Sequence, residues 1–258
     1  MSKLKVLVTR PAEQARAWVG KLEGEGFEAA ALPLIGIDPP EDGAPVTALW
    51  EGLAGYRLAV FVSPNAVQQF FAQAPGDKAW PAGTLAASPG PGTTQVLLAH
   101  GVPQAQVVEP AADSAQFDSE SLWEQLLRYD WLDAQVAMVR GQGGREWLAD
   151  KLRASGAEVN EVTAYRRGPP KLSEDEHRLL VDALLKPGEH AWLFSSSECI
   201  ENLVAEVPGF EWSAMMAVAT HPRIADTARR IGCVKVVAAR PELASVVSAL
   251  QSIQSRAT

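Results

Sequence analysis

The chain has 258 residues, 47% of them hydrophobic and 21% charged, and its 31 acidic against 23 basic side chains leave a net charge of −8. That length suits two domains of ordinary size, and no apolar run is long enough to cross a bilayer. The negative balance argues against nucleic acid or an anionic membrane surface as the general partner, since both select a positive field, and leaves small anionic ligands open.

The amino terminus, MSKLKVLVTRP, enters a strand pattern at once and shows no signal-peptide core or small-residue cleavage site, which predicts a cytoplasmic protein. The first unit is a strand over Lys5 to Thr9, followed by a helix whose Ala15, Trp18, Val19 and Leu22 share one apolar face and which Gly24 and Gly26 end. An apolar stretch from Phe27 to Ile37 reads as one long strand, stopped at Pro39-Pro40 by two missing amide donors. Next come a short helix over Val46 to Leu53, a buried-type strand over Leu58 to Val62, the turn Ser63-Pro64-Asn65 and a helix through Val67 and Phe70. After a loop over residues 74–83, TLAASPGPGTTQVLLAHG is a further strand, turn and helix. Residues 102–118, rich in Pro, Ala and polar side chains, read as a long irregular connection to a helix in which Ser121 and Glu124 fit a capping box.

From Val136 the order repeats. Laid over Val6 to Pro40 at a constant offset of 130, Val136 to Pro170 places Arg10 on Arg140, Lys21 on Lys151, Gly26 on Gly156, Glu28 on Glu158 and Pro39-Pro40 on Pro169-Pro170. A helix opened by the capping box Ser173 to Glu176 follows, then WLFSSSECIENLV, MAVATHPRIADTARRIG, a strand over Val234 to Ala238 and a helix carrying Leu243, Val246, Val247 and Leu250. Alternating strands and helices, with strands that are apolar throughout, predict an α/β architecture of parallel sheets covered on both faces.

In such sheets ligands bind beyond the carboxyl ends of the strands, where helix N-termini present free amides. The turns there are Thr9-Arg10-Pro11, Ser63-Pro64-Asn65, the stretch from Ser88 to Thr93, the stretch from Arg140 through Gly141 and Gly144 to Arg145, Ser195-Ser196-Ser197, and Thr220-His221-Pro222-Arg223. Their small residues, hydroxyls and arginines suit carboxylates or phosphates. The glycine turn is not a dinucleotide fingerprint, because Glu146 stands where G-x-G-x-x-G needs its third glycine, and there is no phosphate-binding P-loop motif. Two readings of it stay open: amides and Arg140 offered to an anion, or glycines that merely permit a tight turn. Cys199 and Cys233, both in apolar contexts, and four scattered histidines give no disulfide framework and no metal site. Neither half has a nucleophile elbow, a Ser/His/Asp set or paired carboxylates in its strand-end turns. His221 is a candidate acid or base, or a helix cap. Tyr165, beside Arg166-Arg167 at the end of a long strand, is either functional or an amphipathic residue at a domain boundary.

The segments VLVTRP, FVSPNAV, SPGPGT, DSESLW, VRGQGGREWLADKLRASGAEVNEVTAYRR, FSSSECIENL and HPRIADTARRIG together resemble the uroporphyrinogen-III synthase family over the whole length. The resemblance implies two flavodoxin-like (Rossmann-like) parallel-sheet domains with exchanged halves: residues 1–36 plus 171–258, and residues 41–166, joined by a two-stranded connector of residues 37–40 and 167–170. It also implies closure of the linear tetrapyrrole hydroxymethylbilane, with loss of water and inversion of the last pyrrole ring, by a monomer that uses no cofactor and meets the preceding pathway enzyme transiently. Substrate would lie in a cleft between the domains. By the same resemblance Tyr165, a phenol that carries its proton at neutral pH, assists departure of the hydroxyl, and Ser63, Thr93, Ser195 and Ser196 contact carboxylates. Arg223-Ile224 stand where some relatives have a pair of threonines, and Arg223 would substitute a charge-assisted bond. The competing reading is a non-catalytic two-lobed module that binds a tetrapyrrole or another anion.

Overall fold

The computed structural model describes residues 4–76, 79–114 and 116–255. The first three residues of the amino-terminal stretch, two residues of the 74–83 loop and one of the 102–118 connection therefore lie outside the described residues. In chain order the first elements are β1 (Lys5–Val8), α1 (Ala12–Gly24), β2 (Glu28–Ala31), β3 (Gly36–Asp38), α2 (Ala44–Gly52), β4 (Leu58–Phe61), α3 (Pro64–Ala72), β5 (Leu85–Ala87), α4 (Pro91–Ala99), β6 (Val107–Val108) and α5 (Ser119–Leu126). They are followed by β7 (Gln135–Gly141), α6 (Trp147–Ala154), β8 (Glu158–Gly168), α7 (Glu174–Leu185), β9 (His190–Phe194), α8 (Ser197–Glu206), β10 (Met216–Ala219), α9 (Pro222–Arg230), β11 (Lys235–Ala238) and α10 (Leu243–Ser255).

The chain divides into two compact units, residues 1–36 with 168–258, and residues 37–167. The first unit holds a five-stranded sheet in the order β11-β10-β9-β1-β2, every neighbouring pair parallel. The second holds a six-stranded sheet in the order β3-β8-β7-β4-β5-β6, parallel from β8 to β6. Read from β2 and from β8, the two orders are the same arrangement. Each is completed by the strand–helix–strand that opens the other repeat.

Strand composition explains why both sheets are buried. In β4, Leu58 and Val60 belong to one apolar cluster with Val136, Met138, Leu122 and Leu148, while Ala59 and Phe61 belong to another with Ala137, Val139, Phe70 and Trp50. Successive side chains point to opposite faces, so helices cover both sides and an uninterrupted apolar strand is required. In the first unit Val6, Val8, Leu193 and Val218 pack with Leu22, Val246 and Leu250, and the intervening Leu7, Trp192 and Phe194 are also fully buried.

The helix starts repeat one device. Ser63, Gly90 and His221 are N-caps, each followed by a proline in the first turn of α3, α4 or α9, where the missing amide of proline costs nothing. Ser173 and Glu176 form the expected reciprocal capping box on α7. The other expected box is absent: Asp118 caps α5 by accepting from the Ser121 amide at 2.8 Å, because the helix begins at Ser119, three residues earlier than a Ser121 cap implied. The apolar stretch from Phe27 divides into β2 and β3 around the buried Leu32, Leu34 and Ile35, with Pro33 between them unable to donate to a ladder. The 102–118 connection is less irregular than its composition implied, since Val107 and Val108 pair with Ala86 and Ala87 as an edge strand.

Candidate functional site

In the second unit, the strand ends bring Ser63, Gly141 and Tyr165 together. Gly141 is opposite Tyr165 after a register shift at Arg140/Gly141, and the Gln142 amide donates to the Tyr165 carbonyl at 3.0 Å. The Tyr165 ring is 2% exposed and packs in the cluster of Phe61, Phe70 and Val139. Gly141 makes room for it: a Cβ there would stand 2.6 Å from Cζ of Tyr165. The Tyr165 hydroxyl lies 3.0 Å from Oγ of Ser63, whose oxygen also accepts the Ala66 amide at 3.2 Å as the cap of α3. Two residues far apart in the chain thus share a hydrogen bond beyond the carboxyl end of β4.

The neighbouring turns turn inward. Ser88 is buried; its hydroxyl donates to the Gly90 carbonyl and lies 2.8 Å from that of Thr94, which donates to Glu109 at 2.6 Å. Thr93 is 4% exposed in the first turn of α4. Arg140 is also buried, and its guanidinium donates to the carbonyls of Gly143 (3.2 Å) and Gly144 (3.1 Å) and pairs with Glu161. Those two glycines have φ of +75° and +117°, conformations that L side chains rarely adopt. Arg140 therefore closes the glycine turn from within, and the geometry favours the tight-turn reading of that motif. The hydrogen bond from Arg153, together with Arg140, holds the Glu161 carboxyl below the usual carboxylate range against the opposing pull of burial. Beside β8, a groove of about 280 Å³ is lined by Glu41, Asp42, Gln142, Glu161, Thr163 and Arg166 with Pro40 and Pro45. No sequence motif pointed to it.

In the first unit, Thr9 is wholly buried and donates to the Leu193 carbonyl at 2.9 Å, which ties β1 to β9. Arg10 stands at the end of β1 with its guanidinium 4.9 Å from the centre of the Trp18 ring. Burial pulls its pKa down, with Cys199 acting in the other direction, and its Nε has no hydrogen-bond partner among the described residues. Ser196 caps α8 through the Glu198 amide at 3.1 Å, with half-buried Ser195 beside it. Thr220 is 7% exposed. His221 accepts the Arg223 amide on Nδ1 at 3.1 Å, so the neutral ring carries its proton on Nε2, and the Arg223 side chain is exposed. Of the two readings of His221, the cap is the one in place. Among the described residues no three His, Cys, Asp or Glu side chains converge as a metal site would require.

The family model described as Uroporphyrinogen-III synthase HemD matches residues 16–248. The chain belongs to the uroporphyrinogen-III synthase family. A uroporphyrinogen-III synthase of Synechococcus elongatus is 30% identical over 222 residues, which is 82% of this chain and 79% of that relative. One from Escherichia coli is 29% identical over 172 residues, 64% of this chain and 65% of that protein. Among solved structures, uroporphyrinogen-III synthetase from Helicobacter pylori aligns with 97% of this chain and 99% of its own at a TM-score of 0.58 and 14% identity. A mutant uroporphyrinogen III synthase from Thermus thermophilus aligns with 98% and 99% at 0.52 and 20% identity. These likenesses are of fold, and they are to the two-domain folds of this family. The serine at the α3 cap and the tyrosine of the YRR segment are the residues that sequence resemblance and local geometry both single out in this member.

Proposed function

We propose that this chain is a cyclising lyase that converts hydroxymethylbilane to uroporphyrinogen III, with loss of water and inversion of the last ring, in tetrapyrrole biosynthesis. Family membership across residues 16–248 supports the reaction, and the Ser63–Tyr165 hydrogen bond at a strand end is the local observation that carries it. The substrate supplies its own reactivity once its hydroxyl departs, so the protein's task is to help that departure and to hold one geometry of attack over another. Such work rests on positioning and on differential stabilisation of one transition state. Ser196, the cap of α8, and half-buried Ser195 beside it supply neutral hydroxyls suited to the carboxylates of the substrate. Arg10 and the exposed Arg223 add positive charge. We read the protein as a cytoplasmic monomer that meets the preceding pathway enzyme only transiently.

The test is a coupled assay with freshly generated hydroxymethylbilane followed by isomer analysis of the oxidised porphyrins. Type III product in excess over the spontaneous background is expected. Type I product alone would overturn the enzyme reading and leave a binding module. Within the assay, Tyr165→Phe is expected to lower turnover by about tenfold to a thousandfold, the range of a positioned proton donor.

A further inference from the structure

The burial of Tyr165 bears on how a proton leaves it. The ring is 2% exposed, wedged against Gly141 and part of the apolar cluster that holds Phe61 and Phe70. Its hydroxyl is covered by Ser63, the half-buried member of the pair, at 3.0 Å. We infer that Ser63 is the catalytic residue that touches the departing hydroxyl, and that Tyr165 acts through it as the proton reservoir behind. The inference rests on the synthase reading above.

The direction of the hydrogen bond follows from satisfaction. Ser63 Oγ has one hydrogen and two acceptor positions, and one of those positions is taken by the Ala66 amide. If Ser63 donated to Tyr165, the phenol hydrogen would be left in an apolar cluster with no other acceptor among the described residues, which is costly for a buried donor. If Tyr165 donates, both acceptor positions of Ser63 are filled and its own hydrogen is the one free to point away from the cluster.

The step balances in protons. The C–O bond of the hydroxymethyl group breaks with its electron pair going to oxygen; the Ser63 proton moves to that oxygen, and water leaves. The Tyr165 proton moves to Ser63 Oγ as the azafulvenium cation forms, and the phenolate remains as its counter-charge. After ring closure the newly substituted pyrrole sheds one proton, which returns through Ser63 to Tyr165. No oxidant, reductant or further reactant is required.

Ser63 also caps α3, so the test must separate delivery of a proton from a lost cap. Turnover, KM, isomer ratio and melting temperature are measured for Ser63→Ala, Ser63→Asn, Ser63→Thr, Tyr165→Phe and the double variant Ser63→Ala/Tyr165→Phe. Ser63→Asn keeps a capping oxygen but has no hydroxyl, and is expected to lose kcat by the same factor as Tyr165→Phe, about tenfold to a thousandfold, with a melting temperature near wild type. Ser63→Thr, which keeps cap and hydroxyl, is expected to recover most of the turnover. The double variant is expected to be no slower than either single one, because the two residues act as one unit. Ser63→Asn turning over within about twofold of wild type, or losses that multiply in the double variant, would overturn the relay while type III product from the wild type leaves the synthase reading standing. Wild-type protein that yields only type I product would overturn both.

Discussion

At Gly141 the absent side chain is what seats Tyr165. A methyl group there would lie 2.6 Å from Cζ, 2.8 Å from Cε2 and 3.0 Å from the hydroxyl oxygen, so the ring must shift within a packed cluster. Overpacking of that kind costs about 1–3 kcal/mol. A catalytic group displaced by about 1 Å loses on the order of a hundredfold in rate. Gly141→Ala is therefore expected to stay folded with a lowered melting temperature and to lose about as much turnover as Tyr165→Phe; an active Gly141→Ala would detach the ring position from the reaction. Cys199 gives a second prediction at this scale. Burial pushes its thiol up to about 11 from 9.0. The folded pKa is raised, so the associated stability is complete below pH 9 and falls between about 9 and 11, where the unfolded chain ionises and the native one does not, at up to about 1.4 kcal/mol per pH unit. Denaturation of wild type and Cys199→Ala across that window is expected to show the shallower fall in the variant, and a thiol reagent at pH 8 is expected to leave native Cys199 unlabelled.

At the scale of elements, legibility depended on how local the deciding interaction is. The Ser173–Glu176 box needs three residues of spacing and was readable; the cap of α5 is just as local, yet two start signals overlap in DSES and the helix takes the earlier one. Asp118→Ala is accordingly expected to cost about 1 kcal/mol and Ser121→Ala much less, by chemical denaturation; the reverse ranking would restore the later start. The division of the Phe27 stretch was not readable in the same way. Pro33 interrupts a run that is apolar on both sides, and only tertiary structure shows β2 paired in one sheet and β3 in the other. The matching stretch of the second repeat has Thr163 in place of Pro33 and runs as one strand through Gly168. Among site residues, the turns were legible because glycine, proline and serine mark them. The closing of Arg140 onto its own turn and the Ser63–Tyr165 bond were not, since each depends on a side-chain direction that composition does not encode.

At the scale of the whole chain, the constant offset between Val6–Pro40 and Val136–Pro170 announced a duplication, but offset alone favours tandem halves. The sheet orders show the other solution, in which β1 and β2 complete the sheet of residues 168–258, and β7 and β8 complete the sheet of β3, β4, β5 and β6. The exchange makes the two units unequal as folding problems. Residues 37–167 are continuous, and the clusters on both faces of their sheet are built entirely from that segment. The other unit must bring β1 between β9 and β2 across the whole intervening segment, a closure whose entropy is smaller once that segment is compact. A fragment of residues 37–167 is therefore expected to fold alone, with a cooperative thermal transition and dispersed amide resonances. A fragment of residues 168–258 lacks β1 and β2, leaving the β9 edge and the apolar partners of Leu22 and Val246 uncovered, and is expected to be unfolded or aggregated. Adding a peptide of residues 1–36 to it should recover helical and sheet signal if the missing strands are the cause. An unfolded 37–167 fragment would mean that its stability depends on the other unit, and that the continuous segment is not the one that folds first.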